Sequence, residues 1–548
     1  MRDDATGPGD VDSVSDRSGL QTLPVESEDP GDVTRHPRSD ARQRGSRSHR
    51  ARLSLDRPWT IPGAVFVLAF LVRLVPLLAH HTLTGLLEYD DGVHFSSAEQ
   101  LVAGHLPYRD FIFIQPPGVT LLLTPFALLA HGIGDAGAMA VARVFFIAVA
   151  ATNAALIAHI LRTRGRVAAL TGGLLYAVWQ ATVAAEHTLL LEPLLTLAVL
   201  IAMLLIDRTP RWASCLAAGA VIGAATTVKL WMGPVALVLV WIITRRHGAR
   251  EAVRFSLACA TTFVVVCIPF VIAAPGAFVR QVLADQITRP GSGATVWDRL
   301  QYLSGMTQHP GLDARLTSHG LALLAVFGIG GIVAFSWRDR ASRPWLAIGT
   351  MELLLIMVAP SFSYHYVDFP AGTVCVLAGL AVTPLRQRLN GRGRPARWVA
   401  AVTAVALGAA LALSSVTGPV GGRADQTALA SFVQGEQCVW TTSTSLLITL
   451  DLEARQIRRG CPYTVDPYGE VLDLSRGLSD RSNDATALTG PRVASWQEIL
   501  RAQLSASSAV VADAGTVEQG WDPATEALFH RLYAPVGEVG GLTMYGRR

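Results

Sequence analysis

The feature that most constrains this chain is a series of apolar segments, each of about 17 to 23 residues and nearly free of charge. Helices of this length match the hydrocarbon thickness of a bilayer, where every backbone polar group needs an internal partner. Of the 548 residues, 51% are hydrophobic and only 16% are charged. Such a composition is typical of a polytopic membrane protein. The sequence therefore predicts an all-α membrane domain as the larger part of the chain.

We predict about eleven transmembrane helices in this part of the chain. They lie at about 61–79, 138–161, 167–185, 189–206, 213–228, 230–244, 252–274, 318–336, 344–359, 369–383 and 398–416. The apolar run 117–130 is too short to span comfortably, so we expect an interfacial helix packed under the preceding loop. With this choice, basic loops such as RTRGR and RRHGARE all fall on the cytoplasmic side.

The two ends of the chain differ from this membrane domain, which we place at 58–416. Residues 1–57 are rich in Asp, Ser, Gly, Pro and Arg and poor in large apolar side chains, which predicts a disordered tail. Arginines just before the first span place this tail in the cytoplasm of a multi-pass plasma-membrane protein. We expect no cleavable signal peptide, because the first apolar run comes late and no small-residue cleavage site follows.

Residues 417–548 are more polar and contain short apolar runs between turn signals. The runs CVWTTS and SSAVVAD resemble buried strands, whereas SLLITLDLEARQI and WQEILRAQL have helical spacing. We therefore predict a small α/β domain, which the span count places outside the cytoplasm. Cys438 and Cys461 lie in it and could form a disulfide there. The other four cysteines fall in apolar segments, where they are expected to pack in the core.

Charge and cysteine patterns exclude some functions. The formal net charge is only +4, and the basic residues lie in short loops, a pattern that reports membrane orientation. No interleaving of aromatic and basic residues indicates a nucleic-acid partner. The cysteines show no C-x-x-C spacing of the kind found in metal sites.

The most polar stretch of the membrane part follows the first span, from Glu88 to Gly118. It begins with Asp90 and Asp91 and continues into a short run with helical spacing. Aspartates are common helix caps, so one interpretation is a solvated helix start. Carboxylates next to a membrane are costly, however, and are often functional, so the other interpretation is a general base for an acceptor hydroxyl.

Further polar residues interrupt the later apolar segments. Glu192 begins a span after His187, and either a helix-end contact or a substrate or metal ligand would explain it. Lys229 would either reach the lipid headgroups or bind an anion such as a phosphate. His365 and Tyr366 would either anchor a helix at the bilayer edge or contact phosphate or sugar oxygens. Glu186 is expected to lie on the surface.

Other charged residues have less specific expectations. Arg109 and Asp110 are expected to pair and brace the polar loop, with Arg109 still able to meet a phosphate. Arg143 lies about one turn into a span and would pair with Asp135 or a lipid headgroup. The long loop at 275–317 carries several basic residues, including Arg289, and spacing does not indicate which of them reaches a site. Asp368 is left undecided.

Taken together, these residues resemble the GT-C class of membrane glycosyltransferases over about residues 60–416. The branch with protein O-mannosyltransferases and the aminoarabinose transferases that act on lipid A is the most similar. The most specific part is the first loop, where the paired acids at Asp90 and Asp91 are followed by GHLPYRDFIFIQPPG. Many relatives carry a basic residue before Pro-Pro, where this chain has Gln115, a donor without charge.

Later segments carry the rest of the resemblance. The acid before a proline matches Glu192, with a basic residue five positions earlier at His187. The family's "TK-x-x-x-P" turn loosely matches the segment that contains Lys229. Its "HYxxP" motif matches His365 and Tyr366, although the proline is shifted by one position.

The resemblance implies an inverting transfer of a mannose- or arabinose-like sugar from a polyprenyl-phosphate carrier to an acceptor outside the cytoplasm. The acceptor would be a glycan, a lipid or a protein. Asp90 would be the base, with Asp91 assisting. The expected substrate-binding residues are Arg109, Gln115, His187, Glu192, Lys229, His365 and Tyr366.

A divalent metal such as Mg²⁺ or Mn²⁺ is a further option, with Asp91 and Glu192 as its oxygen ligands. Two rival functions are a transporter or flippase of polyprenyl-linked sugars and an inactive membrane scaffold. Transporters tend to carry broken helices and charges at mid-membrane. Here the polar groups are predicted on one face of the membrane, which favours an enzyme.

Overall fold

The computed structural model describes residues 59–304, 314–390, 426–476, 493–513 and 521–548. The predicted tail at 1–57 and the predicted last span at 398–416 lie outside the described residues. The boundaries that we predicted between the three parts of the chain stay predictions.

Most of the described chain is helical, as predicted. The helices before residue 391 are α1 (Thr60–Ala79), α2 (Tyr89–Val102), α3 (Gly118–Ile133), α4 (Asp135–Leu161), α5 (Arg166–Val178), α6 (Gln180–Glu186), α7 (Glu192–Ile206), α8 (Arg211–Thr226), α9 (Met232–His247), α10 (Ala249–Ala273), α11 (Pro275–Phe278), α12 (Asp285–Ile287), α13 (Val296–Leu303), α14 (Ala314–Ser336), α15 (Ser342–Val358) and α16 (Asp368–Asn390). A π-helical turn, Val279–Ala284, lies between α11 and α12, and 3₁₀ turns lie at Arg162–Arg164 and Tyr364–Val367.

Five described helices are long and apolar enough to cross a membrane, or six if the bent pair α5 and α6 forms one span. The two helices of that pair meet at an angle of 53° next to Trp179. Helices α3 and α7 are apolar but shorter. The interfacial placement of the run 117–130 and the total of about eleven spans stay predictions.

Small residues let the central helices approach closely. A Cβ atom on Gly173 of α5 would lie 2.9 Å from the Cβ of Ala158 on α4, and one on Gly379 of α16 would lie 2.9 Å from the Ala168 carbonyl oxygen of α5. Close backbone approach of this kind drives helix association in lipid, where burial of apolar surface gives no advantage. The outer faces carry exposed apolar side chains such as Ile272 and Phe327, as expected of lipid-facing surface.

A buried ion pair joins α1 to α6 and corrects one prediction. Glu186, which we expected on the surface, is fully buried, and its carboxylate accepts hydrogen bonds from Arg73 and from the Tyr176 hydroxyl. Arg73 also donates to the carbonyl oxygens of Ala69 and Ala177. The prediction was wrong because the partner of Glu186 lies 113 residues earlier in the chain.

The C-terminal part, by which we mean the described residues from 426 to 548, contains a small sheet packed with helices. Its helices are α17 (Gln426–Val433), α18 (Thr444–Thr449), α19 (Glu453–Arg459), α20 (Pro467–Leu474), α21 (Ala494–Ala506) and α22 (Pro523–Leu532). Its strands are β1 (Val439–Thr441), β2 (Ala509–Asp513), β3 (Tyr533–Val539) and β4 (Leu542–Arg547). The sheet order is β1-β2-β4-β3, with β1 and β2 parallel and the other pairs antiparallel.

Both predicted strands and the predicted helix at WQEILRAQL are confirmed. The run SLLITLDLEARQI is helical but divides into α18 and α19. The hairpin of β3 and β4 was not predicted, although its turn contains Gly540 and Gly541, which both have positive φ and suit a tight hairpin. Cys438 and Cys461 form a disulfide with a Cα–Cα distance of 5.6 Å. This bond ties the start of β1 to the segment that follows α19.

Candidate active site

A cavity of about 360 Å³ brings together polar residues from distant segments. Its walls come from the start of α2, the start of α7, the turn after α8, the 3₁₀ turn before α16, and the C-terminal part of the chain. Its polar lining residues are Glu88, Tyr89, Asp90, His94, Gln115, Glu192, Lys229, Arg289, Ser361, Ser363, Tyr364, His365, Tyr366, Asp466 and Tyr468. Six of the nine site residues predicted from sequence are therefore neighbours in one cavity.

The two adjacent aspartates of α2 have different environments. The side chain of Asp90 is 39% exposed and lines the cavity. Asp91 is fully buried and does not line it. Consecutive residues of an α-helix point about 100° apart, so the two carboxylates cannot face the same space.

Asp91 is engaged by the protein itself. One of its oxygens accepts from Arg143 of α4 at 2.6 Å, and the other accepts from the backbone N–H of Leu189 at 2.5 Å. Arg143 also donates to the carbonyl oxygens of Leu83 and Gly85. Our expectation that Arg143 pairs with Asp135 or a lipid headgroup was wrong. Asp91 of α2 thus connects α4 and the segment before α7. Its predicted assisting role in catalysis has no support from this geometry.

A row of ionisable groups crosses the cavity from Lys229 to Asp90. The Lys229 ammonium lies 2.5 Å from one oxygen of Glu192. The other oxygen of Glu192 lies 3.2 Å from Nδ1 of His365, whose Nε2 lies 3.9 Å from an oxygen of Asp90. His365 therefore lies between the carboxylate that holds the lysine and the carboxylate that is open to the cavity.

The Lys229 ammonium is also held by two aromatic rings. It lies 4.2 Å from the ring centroid of Trp231 and 4.3 Å from that of Tyr366. Such contacts stabilise a cation that has left water. The side chain is only 9% exposed, so the alternative in which Lys229 reaches the lipid headgroups does not fit.

Several residues of the cavity were not assigned a role from the sequence. Among the described residues of the long loop, Arg289 lines the cavity, and its Nε donates to the hydroxyl of Tyr468 at 3.1 Å. Asp466 and Tyr468 come from the C-terminal part. Glu88, directly before α2, accepts from the Tyr364 hydroxyl at 2.7 Å. No local pattern distinguishes Arg289, Asp466 or Tyr468, because their partners lie in distant parts of the chain.

Burial shifts the pKa values of three ionisable groups near Asp90. The pKa of Glu88 is raised by burial and by the nearby negative charge of Asp90. Burial also raises the pKa of Asp466 to about 6, although the Gly469 N–H that it accepts lowers it. The pKa of His94 is lowered by burial. The Asp90 carboxylate, in contrast, is 39% exposed and open to the cavity.

Two predicted binding residues lie away from the cavity. Arg109 is about half exposed and pairs with Asp110 at 2.7 Å, which confirms the predicted pair, but it does not line the cavity. His187 caps the end of α6, where its Nδ1 lies 2.7 Å from the carbonyl oxygen of Val183. Neither side chain is placed to contact a ligand in the cavity.

The metal option receives no support from the geometry. Both oxygens of Asp91 have protein partners, and Glu192 is paired with Lys229. Within the described residues, no group of three or more His, Cys, Asp or Glu side chains is arranged to hold a metal ion. The residues present do not fit Mg²⁺ or Mn²⁺, and we derive no step through a metal.

Comparisons with known proteins agree with this architecture. A model of glycosyltransferase family 87 matches residues 113–363, which run from the end of the first polar loop to just before His365. None of the curated protein sequences matches the chain significantly.

Solved structures share the fold at low sequence identity. ArnT from Cupriavidus metallidurans, bound to undecaprenyl phosphate, is 14% identical, with a TM-score of 0.53, and the match covers 88% of this chain and 97% of that one. The oligosaccharyltransferase AglB from Archaeoglobus fulgidus, in complex with an inhibitory peptide and a dolichol-phosphate, is 12% identical, with a TM-score of 0.55. That match covers 90% of this chain and 74% of AglB.

The fold is therefore that of polytopic membrane glycosyltransferases. The resemblance to the GT-C class, which we inferred from the motifs around Asp90 and the later spans, is confirmed. Together the family model and the fold support a membrane glycosyltransferase.

Proposed function

We propose that the protein transfers a sugar from a polyprenyl-phosphate carrier to an acceptor hydroxyl, with inversion at the sugar carbon. The observation that carries this proposal is the arrangement of charge in one cavity. An open carboxylate, Asp90, shares the cavity with two cations, Lys229 and Arg289. A base and a phosphate-binding group are what a direct displacement from a sugar phosphate needs.

The donor phosphate would bind at the two cations. Glu192 already neutralises part of the charge of Lys229, so a second cation adds to the attraction for a phosphate. Arg289 supplies that cation and compensates for the uncharged Gln115 in the first loop. ArnT and AglB were solved with undecaprenyl phosphate and a dolichol-phosphate respectively, which supports a lipid-phosphate donor.

Asp90 would act as the general base. The acceptor oxygen forms its bond to the sugar C1 as the bond from C1 to the phosphate oxygen breaks, and the acceptor proton moves to the Asp90 carboxylate. The electron pair of the broken bond leaves with the polyprenyl phosphate, which the cations stabilise. A single displacement of this kind inverts the sugar carbon. His365, 3.9 Å from Asp90, would hold that carboxylate in position.

The membrane orientation is part of the proposal. The basic loops favour a cytoplasmic N-terminus, and the disulfide of Cys438 and Cys461 is typical of an oxidising compartment. The cavity and the C-terminal part would then face the outside of the plasma membrane. The acceptor would be a glycan, a lipid or a protein there, and the donor sugar would be mannose- or arabinose-like.

Replacement of Asp90 tests the proposal. Purified protein in lipid nanodiscs would be supplied with polyprenyl-phosphate mannose or arabinose and a membrane extract as the acceptor source, and mass spectrometry would measure the polyprenyl phosphate released. Because a general base contributes about 10²- to 10⁴-fold, Asp90→Asn should lower the rate at least 100-fold.

Asp110→Asn is the matched control, since that aspartate lies in the same loop but outside the cavity. It should leave the rate unchanged. An Asp90→Asn variant with wild-type release would refute the role of Asp90. Sugar-lipid flipping in vesicles without any release by the wild type would favour the transporter alternative.

A further inference from the structure

Arg289 is held in the cavity by a residue of the C-terminal part. Its Nε donates to the Tyr468 hydroxyl at 3.1 Å, and its guanidinium carbon lies 4.8 Å from the centroid of the same ring. Among the described residues, no side chain or backbone group forms a hydrogen bond with either terminal nitrogen of Arg289. The Tyr468 side chain therefore orients the guanidinium and leaves its two terminal nitrogens free to donate to a ligand.

Tyr468 is itself fixed next to the proposed base. Asp466 caps α20 by accepting from the Gly469 N–H at 2.9 Å. The Tyr89 hydroxyl, on the residue before Asp90, donates to Asp466 at 3.2 Å and accepts from the Tyr468 N–H at 3.0 Å. The start of α20 and the start of α2 are thus parts of one hydrogen-bonded unit.

Further contacts hold the C-terminal part against the two segments that carry Asp90 and Arg289. The hydroxyl of Ser445 donates to the carbonyl oxygen of Glu88 at 2.8 Å and accepts from the Gly92 N–H at 3.0 Å. Gly92 is required there, because a Cβ atom would overlap the backbone of Ser445. On the other side, Arg280 pairs with Asp473 of α20 at 2.8 Å.

We propose that the C-terminal part completes the active site and that Tyr468 is a positioning residue that holds Arg289 ready for a phosphate group. This inference rests on the proposed lipid-phosphate donor. An arginine presents donors in a planar fork that matches two oxygens of a phosphate. Fixing that fork before the ligand arrives lowers the entropy lost on binding. The C-terminal part thereby increases affinity for the donor by orienting Arg289.

Binding of undecaprenyl phosphate to the full-length protein in nanodiscs tests this inference. Arg289→Ala should weaken the affinity by roughly 10- to 100-fold, because hydrogen bonds to charged groups are the strong ones. Tyr468→Phe loses the hydroxyl but keeps the ring, and should weaken it roughly 3- to 10-fold. The loss of affinity caused by Tyr468→Ala should lie between the losses caused by Tyr468→Phe and Arg289→Ala.

The double variant separates positioning from a general loss of structure. If Tyr468 acts through Arg289, adding Tyr468→Ala to Arg289→Ala should cause no further loss, since residues that act as a unit are not additive. Tyr463→Phe is the matched control. The Tyr463 hydroxyl also joins the C-terminal part to α2, through Gln100, but the residue lies outside the cavity. The Tyr463→Phe variant should therefore bind undecaprenyl phosphate with the affinity of the wild type.

Each failure has a separate meaning. Affinity that is sensitive to Arg289 but not to Tyr468, or losses that add fully in the double variant, would overturn the positioning role and leave the proposed function in place. A wild-type protein that does not bind undecaprenyl phosphate would overturn the proposed donor, and this inference with it.

Discussion

The contact between α2 and the C-terminal part should weaken as pH rises, because two buried glutamates meet there. Glu453 of α19 accepts hydrogen bonds from Ser96 of α2 and from the Tyr463 hydroxyl. Its second oxygen and both oxygens of Glu99 have no hydrogen-bond partner among the described residues. Two carboxylates buried this way cannot both carry charge without a large cost.

The protonation of these acids gives the direction and size of the effect. Burial raises the pKa of Glu453 from its ordinary 4.5 to about 8. Burial and the neighbouring Glu453 also raise the pKa of Glu99 well above its usual range, with Asp135 and Asp451 acting in the same direction and Arg458 against it. An acid whose pKa is higher in the folded than in the unfolded state stabilises the fold fully below about pH 4.5. This stabilisation is lost as the pH rises towards 8.

Replacing Glu453 with Gln should remove most of this dependence. Each pH unit above the ordinary pKa of 4.5 and below the folded value of about 8 lowers the free energy of unfolding by about 1.4 kcal/mol. Keeping Glu453 protonated in the folded state at pH 7 therefore costs roughly 3 kcal/mol. The Gln side chain needs no proton to remain neutral, and its amide can still accept from Ser96 and Tyr463. Glu453→Gln should therefore be more stable than the wild type at pH 8 and closer to it at pH 5.

Thermal unfolding of the full-length protein in detergent, followed by tryptophan fluorescence from pH 5 to 8.5, measures this. The wild-type midpoint should fall as the pH rises, and the Glu453→Gln profile should be flatter. Glu526→Gln is the matched control, because that glutamate lies on the exposed side of α22 in the same part of the chain. Parallel profiles for wild type and Glu453→Gln would refute the assignment of the buried protonated acid.

Two further substitutions test the groups around Asp90. Arg143→Met should destabilise the protein by about 3 to 5 kcal/mol, because it leaves Asp91 buried without its cation; a thermal midpoint equal to that of the wild type would argue against this pair. His365→Asn should lower sugar transfer by about 10-fold or more while leaving the affinity for undecaprenyl phosphate within about twofold, because the imidazole contacts two carboxylates rather than the cations. Equal losses in transfer and affinity would instead place His365 on the phosphate side.

Local sequence patterns predicted much of this protein. Uninterrupted apolar runs of helical length indicate a membrane fold, because lipid leaves backbone groups no other partners. The helical spacing after Asp90 predicted α2, and short apolar runs between turn signals predicted β1 and β2. Polar residues that interrupt apolar segments, such as Glu192 and Lys229, were recognisable as special because burying them is costly.

Only the tertiary structure decided which polar residues meet. Asp90 and Asp91 are adjacent acids that local patterns do not distinguish. Packing of α2 against Arg143, 52 residues after Asp91, buries Asp91 and leaves Asp90 open to the cavity. Arg289 and Tyr468 carry no local signal, since their partners lie in distant parts of the chain. Hydropathy and spacing act over one or two turns, whereas ion pairs and cavities depend on how whole helices pack, and that packing assembled this site.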